Sequence, residues 1–173
     1  QSNEVDNITT EKYWLYSKKK KKYALVLQFV VRGQGSQLTL TPGLYIQAEL
    51  VFFPSVNPMR ALIKRQLNTS YSNIPIGYAG WEEVIAAQTE RYSRFPVQGD
   101  QPFIVEQLTP VTYNNQWWLR DRSSRMMQLR NAEKNIWHIL ALSGGQPLNM
   151  TLIGNTAEVE VAGIWQDHQY LLV

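Results

Sequence analysis

The sequence of 173 residues contains no cysteine and only two histidines. Without cysteine, this chain cannot form a disulfide framework, a thiolate nucleophile, a Cys-ligated zinc site or an iron–sulfur cluster. Long apolar runs are also missing: none exceeds five residues, whereas a membrane-spanning helix needs about 20. No basic segment followed by an apolar one marks a secretory signal. We therefore expect a cytoplasmic protein with no membrane partner.

The chain has little charge of either sign outside one lysine run. Its formal net charge is +3 and its pI about 9.1. Residues 1–70 carry ten Lys and Arg against four Asp and Glu, and residues 71–173 carry seven against ten. Five of the ten come from residues 18–22, and removing those five charges from the net +3 would leave −2. The basicity is therefore local rather than a property of the whole fold.

What the chain does have is a pattern of β-strands. Apolar residues make up 44% and aromatic residues 12% of it, enough for a folded core. Strands are predicted over residues 13–16, 23–31, 37–40, 44–53, 59–65, 103–108, 116–120, 125–129, 149–153, 157–165 and 169–173. Residues 13–16 and 23–31 form a hairpin around the lysines, and 23–31 is apolar on both faces, which predicts a central strand.

Two helices interrupt the strands. Trp81, Val84 and Gln88 follow helical spacing after a turn-rich boundary at residues 68–80. A second helix begins after a cap at Asn131 and ends near Ser143, before two glycines.

The predicted fold class is α+β and mainly antiparallel β. It comprises an N-terminal β unit at 11–70, a loop and helical connector at 71–100, and a C-terminal β-α-β unit at 101–173 that contains the second helix. The two β units could share one compact core. The pattern leaves the strand order open, because a barrel and a sandwich produce the same alternation.

An arginine cluster lies in the predicted hairpin at 116–129. Its cations, beside two tryptophans, suit an anion or a nucleic-acid strand stacked on an indole. A polar hairpin tip above a tryptophan-anchored core explains the same residues, and Asp121 inside the cluster favours that alternative. The candidate binding surface consists of Arg120, Arg122, Arg125, Arg130 and Trp118.

The lysine run is a second, weaker candidate for a contact surface. Adjacent ammonium groups can engage phosphates, each contact adding a salt-dependent increment. A solvated hairpin turn is the alternative that we favour. The run consists of Lys18, Lys19, Lys20, Lys21 and Lys22.

Motifs for catalysis or metal binding are not found. His138 lies among apolar helix residues, and His168 follows Asp167 in a predicted turn. Neither histidine has a partner at metal-ligand spacing, and no Gly-x-Ser-x-Gly elbow is present. We predict no catalytic residue, no metal ligand and no cofactor in this chain. The alternative is an enzyme of unknown reaction with a cleft between the two β units.

Three stretches of the sequence resemble the C-terminal region of bacterial SWIM zinc-finger family proteins. The similarity runs from about residue 13 to the end, and its most specific part is Ala-Leu-Ser-Gly-Gly. The stretches lie at residues 14–16 with 23–29, at 52–63, and at 137–148 followed by 163–165. The resemblance implies a non-catalytic region of a larger protein, whose upstream Cys-x-Cys and Cys-x-His finger holds zinc. This chain has no cysteine and contributes no part of that finger.

The expected function follows from this resemblance. The chain begins at Gln1 rather than Met, so we expect a fragment of a longer protein. It would serve as a binding or scaffolding region that contacts a protein partner, the rest of its own parent chain, or nucleic acid. A further alternative is a purely structural role in which it shields the zinc-finger portion.

Overall fold

The computed structural model describes residues 2–5, 8–17, 19–20, 22–31, 40–71, 76–96, 99–166 and 169–173. The chain divides into two compact units, Gln1–Ser72 and Asn73–Val173. Strands dominate both, and nearly all strand pairs are antiparallel, so the prediction of a mainly antiparallel α+β protein is confirmed. Within the described residues, both helices fall short of the length and apolar character of a membrane span.

The first unit contains a three-stranded antiparallel sheet and a separate two-stranded hairpin. Strands β1, β2 and β3 form the sheet in that order, and β4 pairs with β5. Their bounds are β1 Ser2–Val5, β2 Ile8–Ser17, β3 Lys22–Val31, β4 Leu44–Phe52 and β5 Ala61–Tyr71. The predicted hairpin around the lysines is present. Of the strand predicted at 37–40, residues 37–39 lie outside the described residues.

Strand β3 pairs with β2 on one side, and on its other side the described residues form only an isolated parallel bridge, between Leu25 and Arg60. The prediction of a central strand is therefore not confirmed. Ala24, Val26 and Gln28 are buried on one side, while the alternate side chains are half-buried or exposed. This is the pattern of a strand with one covered face. On the side of the bridge, the Leu25 amide donates a 2.7 Å hydrogen bond to the Met59 carbonyl.

The second unit contains both helices and six strands. In chain order these are α1 Trp81–Arg94, β6 Gln101–Tyr113, β7 Gln116–Arg120, β8 Met126–Leu129, α2 Ala132–Ser143, β9 Leu148–Gly154, β10 Glu158–Gln166 and β11 Gln169–Leu172. These bounds follow the predicted elements closely, apart from the longer β6.

Five of these strands close into a barrel. β6 pairs with β7 and β9, β7 with β8, β8 with β10 in parallel, and β10 with β9, which completes the ring. In barrel numbering the order is 1-2-3-5-4, and α2 connects the third strand to the fourth. This is the connectivity of the OB-fold, a five-stranded Greek-key barrel. The first two residues of β10 pair with β8, and its last four residues, Gly163 to Gln166, pair with β11.

A bulge in β6 allows one strand to pair with two neighbours. Its register shifts between Val105 and Leu108. There Gln107 adopts a left-handed φ of 54°, and its amide donates a 3.0 Å hydrogen bond to the Asn149 side-chain oxygen. Bulges bend a strand and increase its twist. The first part of β6 therefore pairs with β9 and the last part with β7.

The interior of the barrel is apolar and covered by both helices. α2 contributes Ile136 and Ile139, and α1 contributes Trp81 and Val84. Strand residues that are fully buried are Val105, Leu108, Leu119, Met150, Leu152, Val159 and Ile164. Each such side chain stabilises the fold by about 1.5–3 kcal/mol. Because α1 packs into this core, the finer prediction of two β units joined by a helical connector is not confirmed.

Candidate nucleic-acid interface

Trp118 and Arg120 lie on the same outward side of β7. Successive strand residues point to opposite faces, and Leu119, between them, is fully buried in the barrel. Residues two apart on a strand are separated by roughly 7 Å, so the indole and the guanidinium share one small area. On β8, Gln128 and Met126 lie opposite Trp118 and Arg120, and on β6 Tyr113 lies opposite Gln116, two residues before Trp118. We call this surface the barrel face, and it consists of Tyr113, Trp118, Arg120, Met126 and Gln128.

Two aromatic rings occupy one end of the barrel face. Trp118 is half-buried and its Nε1–H donates a 3.2 Å hydrogen bond to the Tyr113 carbonyl. The two rings meet edge to face, with centroids 6.4 Å apart at 72°, and Tyr113 is 55% exposed. The turn between β6 and β7 supports this pair through Asn114 and Asn115, whose φ values of 51° and 57° suit a tight hairpin. The rings are therefore held in place and accessible.

Two arginines at the other end carry charge that no described carboxylate neutralises. Arg120 ends β7 and Arg122 lies in the turn that follows, and both are exposed. Neither takes part in an ion pair with any residue that the structure describes. An anion at this end of the barrel face would meet two guanidinium groups with open hydrogen-bonding sites.

The other two predicted arginines are already paired. Arg125 is exposed, and its Nη1 lies 2.5 Å from the Glu82 carboxylate of α1. Arg130 is half-buried: its Nη2 lies 2.5 Å from Asp100, and two further guanidinium nitrogens lie 3.7 Å from Glu158 and from Glu160. The structure thus places Trp118 and Arg120 on one side of β7, with Arg122 in the adjacent turn, and directs Arg125 and Arg130 to carboxylates.

The environment of Arg130 keeps it fully charged. Burial acts to lower the pKa of its guanidinium, but the hydrogen bond and charge of Asp100 act against burial. The charges of Glu160 and Glu158 add to this effect, and the pKa is raised above its usual value. The three carboxylates around Arg130 leave this part of the barrel without free positive charge.

Asp121 has a structural role on the opposite side from the barrel face. It is 5% exposed, its Oδ2 accepts a 2.9 Å hydrogen bond from the Trp81 amide, and its Oδ1 accepts another from the Arg125 amide. The carboxylate thereby caps the N-terminus of α1, where the helix dipole favours negative charge. Gly80 makes this approach feasible, since a Cβ there would lie 2.7 Å from Oδ2. Asp121 forms none of the ion pairs found among the described residues, including with the arginines beside it in sequence.

The remaining sequence candidates lie elsewhere. His138 is exposed on α2, and His168 lies outside the described residues. Lys19 and Lys20 occupy the turn between β2 and β3, and Lys22 begins β3, while Lys18 and Lys21 are outside the described part. No group of three or more His, Cys, Asp or Glu that could hold a metal ion is found in the described ranges.

Sequence reasoning missed Tyr113 as a site residue. Its place at the end of an alternating strand, just before Asn-Asn, is the pattern that could have identified it, because such turns bring the flanking side chains together. Trp137, one of the apolar helix residues around His138, is 73% exposed.

Comparisons with protein-family models, curated proteins and solved structures find no match for this chain. The resemblance to SWIM zinc-finger proteins therefore stays a prediction. The chemistry of the barrel face follows from its own geometry: two accessible rings beside two uncompensated guanidinium groups. Such a surface suits a polyanion that carries exposed planar groups.

Proposed function

We propose that this chain is a non-catalytic binding region whose second unit binds single-stranded nucleic acid through the barrel face. The observation that carries the proposal is the position of Trp118 and Arg120 on the outer side of the second barrel strand. In barrels of this connectivity, the face formed by the second and third strands contacts oligonucleotides. Tyr113 lies at one end of this face, and Arg122 lies in the turn that follows its other end.

The composition of the barrel face favours a single strand over a duplex. Bases stack on aromatic side chains only when they are unpaired, and each such contact is worth about 1–3 kcal/mol. The two rings lie at one end and the two guanidinium groups at the other, so a strand laid across the face would meet both. Arg120 and Arg122 would contact its phosphates, while Trp118 and Tyr113 would contact its bases.

The resemblance supplies the setting of this proposal. In a SWIM-type zinc-finger protein of a bacterium, the region would act in the cytoplasm, downstream of a finger that holds the zinc. This chain would itself contain no cofactor. We propose that this region provides affinity for the nucleic-acid strand and that its partner is the rest of the same polypeptide.

Fluorescence anisotropy with a labelled 12-nucleotide strand tests the proposal. Trp118→Ala should weaken binding about tenfold, as expected for one lost stacking contact. Arg120→Ala should also weaken binding. It should reduce the salt slope, the slope of the logarithm of the binding constant against the logarithm of the salt concentration, by about 0.7, the value for one phosphate contact on a single strand. Trp137→Ala and Arg94→Ala are matched controls, because both side chains are exposed and lie outside the barrel face. Unchanged affinity in a correctly folded Trp118→Ala protein would refute the assignment.

An exposed tryptophan, packed on a half-buried one, favours a second candidate, contact with the upstream part of the parent protein. Trp137 on α2 is 73% exposed and meets Trp117 edge to face at 6.5 Å. Tryptophan dominates the energetic centres of protein interfaces, and Trp137 begins the stretch at 137–148 that contains the most specific part of the resemblance. Trp137→Ala should reduce the affinity for the zinc-finger fragment added in trans and leave nucleic-acid binding intact. Equal affinity of both proteins for that fragment would exclude Trp137 from the interface.

A further inference from the structure

The turn between β2 and β3 forms a basic tip with a tyrosine pair directly below it. Ser17 pairs with Lys22 across the two strands, and Tyr16 pairs with Tyr23 in the next position. Lys20 closes the turn by donating its amide to the Ser17 hydroxyl at 3.2 Å. The two tyrosine rings have centroids 4.9 Å apart at 44°, and Tyr16 is 47% exposed.

The positive charge of the tip has no compensation nearby in sequence. Residues 12–48 contain six lysines and one arginine but neither aspartate nor glutamate. The described lysines of the run, Lys19, Lys20 and Lys22, are exposed and take part in none of the ion pairs formed by the described residues. By contrast, Lys64 on β5 lies 2.9 Å from Glu49 on β4. The tip therefore offers open ammonium groups to an anionic partner.

The part of the hairpin nearest the tip is only two strands wide in the described structure. β1 pairs with β2 only at residues 8–11, and the backbone contact of β3 with Met59 is made at Leu25. Beyond these points the ribbon continues through the Tyr16–Tyr23 pair to the turn. A two-stranded ribbon fits the major groove of duplex DNA, which is about 12 Å wide.

We propose that this tip binds duplex nucleic acid, with the ribbon in the major groove and the lysines on the flanking phosphates. The tyrosine rings pack on each other, so they are less suited to stacking on unpaired bases than the rings of the barrel face. A lipid surface is a poorer fit, because the described turn residues Lys19 and Lys20 supply charge but no apolar group that could insert into a bilayer. This inference goes beyond the barrel face and does not depend on it.

Anisotropy of the full chain with a labelled 16-base-pair duplex across 50–200 mM salt tests the inference. The variant replaces Lys19, Lys20 and Lys22 by serine. Three lost phosphate contacts should reduce the salt slope by about 2.7. Between 50 and 200 mM salt, the affinity of the native chain should therefore fall by a factor about 40 times larger than that of the variant. The control replaces Lys64, Arg65 and Lys134 by serine, which removes the same charge from other exposed positions, and should retain most of the slope.

Three results would overturn the inference. The first is an unchanged duplex slope in the lysine variant whose circular dichroism matches the native chain. The second is an equal loss of slope in the control variant, which would show that only net charge matters. The third is a lysine variant that keeps its duplex affinity but no longer binds phosphatidylserine vesicles, which would assign the tip to a lipid surface. Trp118→Ala, which should weaken only single-strand binding, separates failure here from failure of the barrel face.

Discussion

Replacing Asp121 by alanine should destabilise the second unit more than any surface change in the arginine hairpin. The buried carboxylate accepts hydrogen bonds from the amides of Trp81 and Arg125, both at 2.9 Å. Losing a helix cap costs about 1 kcal/mol, and losing a hydrogen bond to a charged group costs about 1.5–3 kcal/mol. The two together suggest about 3 kcal/mol. For a unit of this size each kcal/mol lowers Tm by about 4–8 °C.

Thermal and urea unfolding, followed by tryptophan fluorescence and circular dichroism, would measure this loss. Trp81 is a suitable reporter, because it begins α1, is 1% exposed, and donates its indole N–H to the Leu119 carbonyl at 2.9 Å. Asp121→Asn keeps acceptor capacity without charge and should lie between alanine and the native protein. Glu83→Ala, which removes an exposed contact to the Ala79 amide, should cost less than 1 kcal/mol. A loss below 0.5 kcal/mol for Asp121→Ala would refute the capping role.

Two further predictions concern the packing of Tyr170 over β10. A Cβ at Gly163 would collide with the Tyr170 ring, so Gly163→Ala should lower the free energy of unfolding in urea by about 1–3 kcal/mol. The control is Gly99→Ala, which should be neutral because a Cβ there meets no atom within 4 Å. Equal effects of the two substitutions would exclude the collision. Burial raises the pKa of Tyr170 to about 12 from 10.0, against an opposing hydrogen bond with Thr151. The folded state then holds the phenolic proton more tightly than the unfolded state, so the free energy of unfolding should fall by up to about 2.7 kcal/mol between pH 10 and 12. Tyr170→Phe should flatten this fall. An identical alkaline stability profile for the native and Tyr170→Phe proteins would contradict the prediction.

Local patterns in the sequence were sufficient to predict most of the individual elements. The strand patterns predicted β3 and β4 to within one residue, and helical spacing with Gly144 after the last turn predicted α2. They predicted only residues 13–16 of β2, which runs from Ile8 to Ser17, and did not predict β1. Asn131 does precede α2, although its side chain makes no capping bond and its φ is 52°. Short-range periodicity determines these features, because it reflects which face of each element is buried.

Long-range pairing could not be predicted in this way. Barrel closure depends on a parallel contact of only two residue pairs between β8 and β10. The site also depends on contacts between residues that are distant in sequence. Asp100, which pairs with Arg130, lies 30 positions before it, and the helix that Asp121 caps begins 40 positions before Asp121. The sequence placed Trp118 and Arg120 in one hairpin, but it could not show which of four arginines keep their charge available. That distinction comes from tertiary ion pairs.

The central claim is that the barrel face binds a nucleic-acid strand, and the most direct test is an NMR titration of the ¹⁵N-labelled chain with a single-stranded oligonucleotide. The chain has six tryptophans, so six indole N–H signals can be followed and assigned with Trp118→Phe. We expect the Trp118 indole signal and the Arg120 and Arg122 amides to shift, while the buried Trp81 indole stays in place. Shifts confined to other residues, or no shift with saturating oligonucleotide, would contradict the proposed function.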